Sequence, residues 1–188
     1  MEGKIMLRYT LSSLVLAVAL TAAPVAGLAQ DSGVSDAQYM AQVMSAAPAS
    51  VVKGATVVRM NADGTMRTLQ TGSDGFTCMV AGPNAPMCAD KNAIGWLHAY
   101  LTHATPPSDV GLVYMLGGDE GASNTDPAAR AKTDSNHWVV TGAHIMIVGP
   151  NVNSMGYPMT ADADPTKPYV MWAGTPYSHV MFPVAASP

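Results

Sequence analysis

The sequence predicts an α+β fold: one domain in which one or two helices pack on a mainly antiparallel sheet of five to seven strands. Two observations lead to this prediction. Several short apolar segments alternate with period two, as strands do, whereas Lys91 to Thr102 repeats its apolar residues with helical spacing. The segments also do not follow one another as strand, helix, strand, so a doubly wound parallel sheet is disfavoured.

Length and composition are those of a chain that buries a core. It has 188 residues, 48% of them hydrophobic, and this content disfavours disorder. The charged fraction is 12% and the net charge is −4, without a run of Lys or Arg. We expect no nucleic-acid partner, because binding phosphates requires clustered positive charge. The chain is rich in methionine, with 14 residues, and thioethers fill irregular core space well.

The N-terminal segment has the organisation of a secretory signal peptide. Lys4 and Arg8 form a basic region, which the apolar segment Leu11 to Leu20 follows. Gly27 and Ala29 then place small residues before a predicted cleavage site. The apolar segment is too short to span a bilayer, so we expect no stable membrane insertion after cleavage. The sequence therefore predicts a periplasmic or secreted bacterial protein.

The rest of the chain divides into a short N-terminal part and a domain. A helix is predicted from Ser35 or Asp36 to about Ala46, and Pro48 ends it. Ala55 to Met60 then begins the strand region with a predicted hairpin. The predicted organisation is a signal peptide over residues 1–29, a leader and helix over residues 30–50, and a single α+β domain over residues 51–188.

The two cysteines, Cys78 and Cys88, are predicted to form a disulfide. An even, closely spaced pair in an oxidising compartment is typical of a disulfide. The intervening segment contains Gly82, Pro83 and Pro86, which can turn the chain back. A redox or metal-binding pair is disfavoured, because a redox motif has two intervening residues and here there are more.

The C-terminal half is predicted to hold the central strands. Val110 to Leu116 reads as a buried strand, and His137 to Val148 reads as one long strand that alternates with period two. Two short strands follow, Tyr169 to Trp172 and Ser178 to Val184. Two long loops separate these segments, and loops of that length are often functional.

Two of these strands carry the same triplet, His-x-Met. His144 precedes Met146 by two residues, and His179 precedes Met181 by the same spacing. Residues i and i+2 of a strand point to one face, so each His shares a face with its Met. If the strands are neighbours, two imidazoles and two thioethers converge, and this soft ligand set suits Cu(I). The residues expected to add to that surface are Tyr169, Met171 and Tyr177.

Three other interpretations stay open beside the copper hypothesis. Met-rich apolar strands bring Met beside His through core packing alone. A hydrolase or lyase would use His144 or His179 as a general base, oriented by Asp126 or Asp134. A structural envelope protein would need no small ligand. No catalytic residue is assigned, because the sequence has no nucleophile elbow, zinc-protease motif or phosphate-binding loop.

Four segments also carry a resemblance to a known family. They read FTCM…PMCAD, GLVYMLGGDEGASNTDP, HWVVTGAHIMIVGP and PYVMWAGTPYSHVMFPV. Together they resemble a family of small exported bacterial proteins of unknown function, over roughly Ala55 to Val184. The resemblance implies export and a single domain, and it implies no activity, cofactor or catalytic residue. The predicted function is therefore binding of a small ligand or a metal, with copper as the candidate cofactor.

Overall fold

The computed structural model describes residues 33–82 and 84–184, so the predicted signal peptide and Pro83 lie outside the described residues. It contains helices α1 (Asp36–Val43), α2 (Ala49–Gly54) and α3 (Lys91–Thr102). A single 3₁₀ turn spans Val152–Ser154. The strands are β1 (Thr56–Met60), β2 (Met66–Gln70), β3 (Phe76–Val80), β4 (Pro86–Asp90), β5 (Gly111–Met115), β6 (Ala122–Ser123), β7 (Trp138–Val139), β8 (His144–Val148), β9 (Tyr169–Met171) and β10 (His179–Pro183).

Eight of the strands form one mixed sheet that dominates the fold. Its order is β2-β1-β3-β4-β5-β8-β10-β9, while β6 and β7 form a separate two-stranded sheet. All neighbours in the large sheet are antiparallel except β1 and β3, which are parallel. The α+β prediction with a mainly antiparallel sheet is confirmed in this broad form. The expected numbers were too low: the described residues form eight strands in the large sheet and three α-helices, whereas five to seven strands and one or two helices were predicted.

Helix α3 begins where the sequence predicted because Asp90 caps it. One carboxylate oxygen of Asp90 accepts the Ala93 N–H at 2.8 Å, and the other accepts the Leu112 N–H of β5 at 3.0 Å. The helix ends at His103, which adopts the left-handed conformation with φ 55°. The cap therefore fixes the start of α3 and ties it to the central strand β5.

The large sheet is covered on both faces. On one face α3 packs over β4 and β5, in a core cluster that includes Trp96, Val113 and Met181. On the other face α1 and α2 cover β1, β3 and β4, with Val43 and Val52 in their core cluster. The segment around the 3₁₀ turn covers the same face near β8, β9 and β10. The face under α3 is the one that carries the candidate site.

Cys78 and Cys88 are joined by a disulfide, as predicted. They lie directly opposite each other in β3 and β4, and both are fully buried. Their side chains belong to the core under α1 and α2, on the opposite face of the sheet from α3. The disulfide therefore crosses a strand pair and does not take part in the candidate site.

The single long strand predicted from His137 to Val148 is wrong. The chain forms the short strand β7, leaves the extended conformation, and re-enters the large sheet only at His144. His137 and Gly142 have positive φ values of 50° and 73°, which interrupt the alternation on either side of β7. The period-two pattern therefore holds within β8, where His144 and Met146 share a face, and does not extend back to Trp138.

Candidate functional site

The two His-x-Met triplets lie on neighbouring antiparallel strands. In the register of β8 and β10, Met146 is directly opposite Met181. His144 is opposite Pro183, and His179 is opposite Val148. The two methionines therefore form a central row, with one histidine in the row on each side.

Strand β9 adds a third element to the same face. Met171 is directly opposite His179, and Tyr169 is directly opposite Met181. Directly opposed residues in an antiparallel pair have Cβ atoms about 4.5–5.5 Å apart, so their side chains are in contact range. The surface predicted to include Tyr169 and Met171 is therefore assembled, and β10 lies at its centre.

One cavity of about 110 Å³ collects these side chains. All four predicted metal-ligand residues line it. The side chains around them come from β9, from the residue that follows it, from the small sheet of β6 and β7, and from the loops on either side of that sheet. The full lining consists of Asp119, Ala122, Val139, Thr141, His144, Met146, Met171, Trp172, His179 and Met181.

The two histidines are held by the same local hydrogen bond. Nδ1 of His144 lies 2.6 Å from the carbonyl oxygen of Gly142, and Nδ1 of His179 lies 3.0 Å from that of Tyr177. A carbonyl oxygen only accepts, so Nδ1 carries the proton and donates in both rings. An imidazole that donates through Nδ1 and carries no second proton has a free lone pair on Nε2, which is the form that binds a metal.

Neither Nε2 atom is used by the rest of the described chain. Nε2 of His144 is buried and has no hydrogen-bond partner. None of the hydrogen bonds within residues 33–82 and 84–184 reaches Nε2 of His179. A buried acceptor without a partner costs about 1–3 kcal/mol, so Nε2 of His144 beside this cavity requires an explanation. A bound cation would supply the missing partner.

Burial keeps His179 neutral. Removal from water lowers the pKa of His179 to about 4, with a smaller lowering from nearby His144, and the hydrogen bond to Tyr177 opposes these effects. His179 is therefore uncharged at neutral pH, and its lone pair is available. Burial likewise raises the pKa of Tyr169 to about 12, so its hydroxyl stays protonated. That hydroxyl shares a 2.6 Å hydrogen bond with Thr141, which ties the loop before β8 to β9.

Aromatic rings enclose the His179 end of the cavity. Trp96 of α3 and Trp172 meet the imidazole of His179 nearly at right angles, with ring centroids 5.3 and 4.8 Å away. Tyr100 stacks on Trp172 at 5.0 Å. Tyr177 contacts Tyr100 at 5.5 Å and thus joins this wall, while its carbonyl orients His179. The sequence pointed to Tyr177 but not to Trp96 or Trp172.

The two acids predicted to orient a catalytic histidine do not do so. Asp126 and Asp134 are both exposed, and Asp126 accepts the N–H of Ala128 within its own loop. The Nδ1 atoms of His144 and His179 are already bonded to backbone carbonyls. The general-base hypothesis therefore has no support from the carboxylates that the sequence suggested.

A separate His–Asp pair lies at the surface. Nδ1 of His137 is 2.8 Å from a carboxylate oxygen of Asp162, beside a shallow pocket of about 230 Å³. The Asp162 side chain is 91% exposed, so water competes strongly for this pair. We assign it no role in the candidate site.

The donors in the cavity are imidazole and thioether groups. Within residues 33–82 and 84–184, no three His, Cys, Asp or Glu side chains group as they would around a metal ion. None of the helices in this part of the chain is long and apolar enough to cross a bilayer. Comparison with known proteins found no matching family model, no matching curated protein and no matching solved structure.

Proposed function

We propose that this protein is an exported binding protein for a soft monovalent metal ion, with Cu(I) as the ion that the donors suit best. The observation that carries the proposal is the shared cavity. His144, Met146, His179 and Met181 all line it, and both imidazoles have Nδ1 committed to a backbone carbonyl. Thioether with imidazole is a soft donor set that favours Cu(I) over hard divalent ions.

The orientation of the histidines supports a metal more than core packing. A histidine that binds a metal through Nε2 commonly donates Nδ1–H to a carbonyl or carboxylate, which fixes both the tautomer and the ring orientation. That arrangement occurs twice here, on two strands, and in both cases the accepting carbonyl belongs to the residue two positions before the histidine. Core packing alone gives no reason for two buried histidines to repeat it while their Nε2 atoms lack partners.

The charge of the cavity supports a monovalent ion. Imidazole and thioether groups bind a metal as neutral donors, and Asp119 is the only acid among the lining residues. The cost of removing an ion from water grows with the square of its charge, so a divalent ion costs about four times as much as a monovalent one. Neutral soft donors compensate the smaller cost more readily.

The disulfide supports the exported part of the proposal. Cys78 and Cys88 are buried and bonded, which is typical of proteins that fold in an oxidising compartment. The predicted signal peptide and the resemblance to small exported bacterial proteins support the same location. Expression of the full chain in a bacterium, followed by mass measurement of the periplasmic product, would show whether cleavage occurs after Ala29.

A competition titration with a chromophoric Cu(I) chelator tests metal binding. The full chain is exported during expression, purified, and compared with the double variant His144→Ala/His179→Ala. We expect one Cu(I) per wild-type protein and an affinity at least about 100-fold lower in the variant, since even loss of an outer-sphere partner costs about 10- to 100-fold.

The matched control is His98→Ala/His103→Asn, which removes two exposed histidines, keeps at position 103 a residue that tolerates the left-handed conformation, and should bind as the wild type does. Wild-type protein that is folded and takes up neither Cu(I) nor Ag(I) would contradict the proposal. In that case the two His-x-Met triplets are part of the core packing, and the interpretation as a structural envelope protein without a small ligand replaces the metal-binding proposal.

A further inference from the structure

Met171 and Trp172 are consecutive residues that line the same cavity. In an extended strand, neighbouring side chains point to opposite faces, so this arrangement departs from the rule. The departure has a local cause, because Trp172 adopts the left-handed conformation with φ 55°. That conformation is unfavourable for a bulky residue and is found where the surrounding structure enforces it, often at functional sites.

A set of hydrogen bonds enforces the conformation of Trp172. Its N–H donates to the carbonyl of Asn124 at 2.9 Å. Its own carbonyl accepts the Thr175 N–H at 3.1 Å and the Ser178 hydroxyl at 2.9 Å. The indole N–H donates to the carbonyl of Ser123 at 2.8 Å. Both the backbone and the ring plane of Trp172 are therefore fixed before any ligand enters.

The indole of Trp172 contacts the imidazole of His179, and the ring of Tyr100 stacks against it. Its ring centroid is 4.8 Å from that of His179, with the two planes at 83°. Tyr100 stacks against it at 5.0 Å and 29°, so the ring cannot easily rotate away. Trp172 is 9% exposed, which places a large aromatic surface in a region of low dielectric constant.

We propose that Trp172 is a direct partner of the bound metal: its indole covers the soft monovalent cation at the His179 end of the cavity, beside Met171 and Met181. This inference rests on the proposed function and deepens it. The face of an indole ring carries negative potential and attracts a weakly hydrated cation, most strongly where water is excluded. The thioethers and the imidazole of His179 carry no negative charge. The face of the indole adds an electrostatic attraction for the cation that these uncharged donors do not supply.

The position of the indole also gives it a second effect. A ring that closes the His179 end of the cavity limits access of water and oxidants to the metal. Cu(I) bound there would be shielded from oxidation to Cu(II), which prefers tetragonal nitrogen and oxygen donors. Trp172 thus favours the monovalent state of the metal in two ways: its indole face attracts the cation, and its ring excludes water and oxidants.

Titration with Ag(I) tests this inference, since Ag(I) has the charge and softness of Cu(I) and needs no reductant. The full chain contains three tryptophans, so each is replaced in turn by Phe. We expect saturating quenching of Trp emission at one Ag(I) per wild-type protein, together with a change in indole absorption. Most of this signal should be lost in Trp172→Phe and retained in Trp138→Phe, whose indole lies outside the cavity.

Affinity provides a second readout. We expect Trp172→Leu to bind Ag(I) about 5- to 30-fold more weakly than wild type, with Trp172→Phe between them, because Trp is the best and Phe a weaker partner for a cation. If the Leu variant fails to fold, Trp172→Tyr takes its place in the series. Unchanged emission and equal affinities in all folded variants would overturn the role of Trp172 and leave the metal site intact. Failure of wild-type protein to bind Ag(I) would instead overturn the proposed function itself.

Discussion

Met146 and Met181 lie directly opposite each other on β8 and β10, and both line the candidate metal cavity. Replacing both by Leu removes the sulfur atoms and nearly conserves volume. We expect the free energy of unfolding to change by less than about 1.5 kcal/mol per site, while Cu(I) affinity falls at least tenfold. Chemical denaturation and chelator competition measure the two quantities.

Met87→Leu is the control, because Met87 is a buried methionine on the same face of the sheet that does not line the cavity. If the double Leu variant binds Cu(I) as tightly as Met87→Leu does, the thioethers are core packing and not ligands.

Gly142→Ala tests the backbone that orients His144. Gly142 has φ 73°, a conformation that Ala adopts only with strain, and its carbonyl accepts the His144 proton. We expect a loss of about 1–2 kcal/mol in stability and weaker Cu(I) binding. Gly82→Ala is the control, because a Cβ at Gly82 meets no atom within 4 Å and its φ is not positive. Equal stability of the two variants, measured in urea, would contradict this account.

Gly111→Ala tests how closely α3 approaches the central strand. A Cβ at Gly111 would lie 2.4 Å from the backbone nitrogen of Ala93 and 2.7 Å from its Cα, and backbone atoms cannot move aside. We expect destabilisation of about 3 kcal/mol or more. Gly95→Ala, within α3, meets only Pro107 at 3.4 Å and should stabilise the helix by up to about 1 kcal/mol. Thermal unfolding measures both effects. A melting temperature of Gly111→Ala that is equal to or higher than that of Gly95→Ala would contradict the prediction.

Reduction of the disulfide should lower stability without affecting the proposed metal site. Cys78 and Cys88 are ten residues apart, and a loop of this size contributes roughly 2–3 kcal/mol in the chain-entropy model. We expect a lower urea midpoint for the reduced protein and unchanged Cu(I) stoichiometry while it remains folded. The thiols must be blocked with an alkylating reagent before metal is added. Equal midpoints for oxidised and fully reduced protein would contradict the prediction.

Asp36→Asn should destabilise the protein in a pH-dependent way. Hydrogen bonds from Arg67 and Arg59 lower the pKa of Asp36 below its usual 3.8. A lowered pKa in the folded state means that the contribution is present above the unfolded value and is lost as pH falls below it. We therefore expect the wild type to have the higher melting temperature at pH 7, with the difference shrinking below about pH 4. A difference that stays constant down to pH 3 would show that Asp36 acts by another route.

The sequence predicted the elements whose boundaries are set by local chemistry. Helix α3 was predicted over its full range because Asp90 is a good N-cap and the apolar spacing is regular. Strand β4 was missed, since a five-residue segment with Pro86 at its start gives little alternation. Helix α2 was missed because Val51 and Val52 have low helix propensity, and tertiary packing decided the outcome.

The sequence predicted that the two His-x-Met triplets share one surface, and it missed the tryptophan side chains that enclose the cavity. The period-two rule placed His144 with Met146 and His179 with Met181, and pairing of β8 with β10 then brought the two triplets together. The same rule put Trp172 on the opposite face from Met171. No sequence pattern marks a left-handed Trp, because the hydrogen bonds that enforce it come from Asn124 and Ser178, in different parts of the chain.

The position of β10 has a consequence for when the cavity can exist. Although β10 is the last of the described strands, it lies inside the sheet, and β9 has no other sheet partner in this part of the chain. The row that pairs Met146 with Met181 and the row that pairs His179 with Met171 therefore both depend on β10 being in place. Before β10 inserts, His144 and Met146 face partners only in β5, so binding of the proposed metal has to follow the closing of this part of the sheet and cannot precede it.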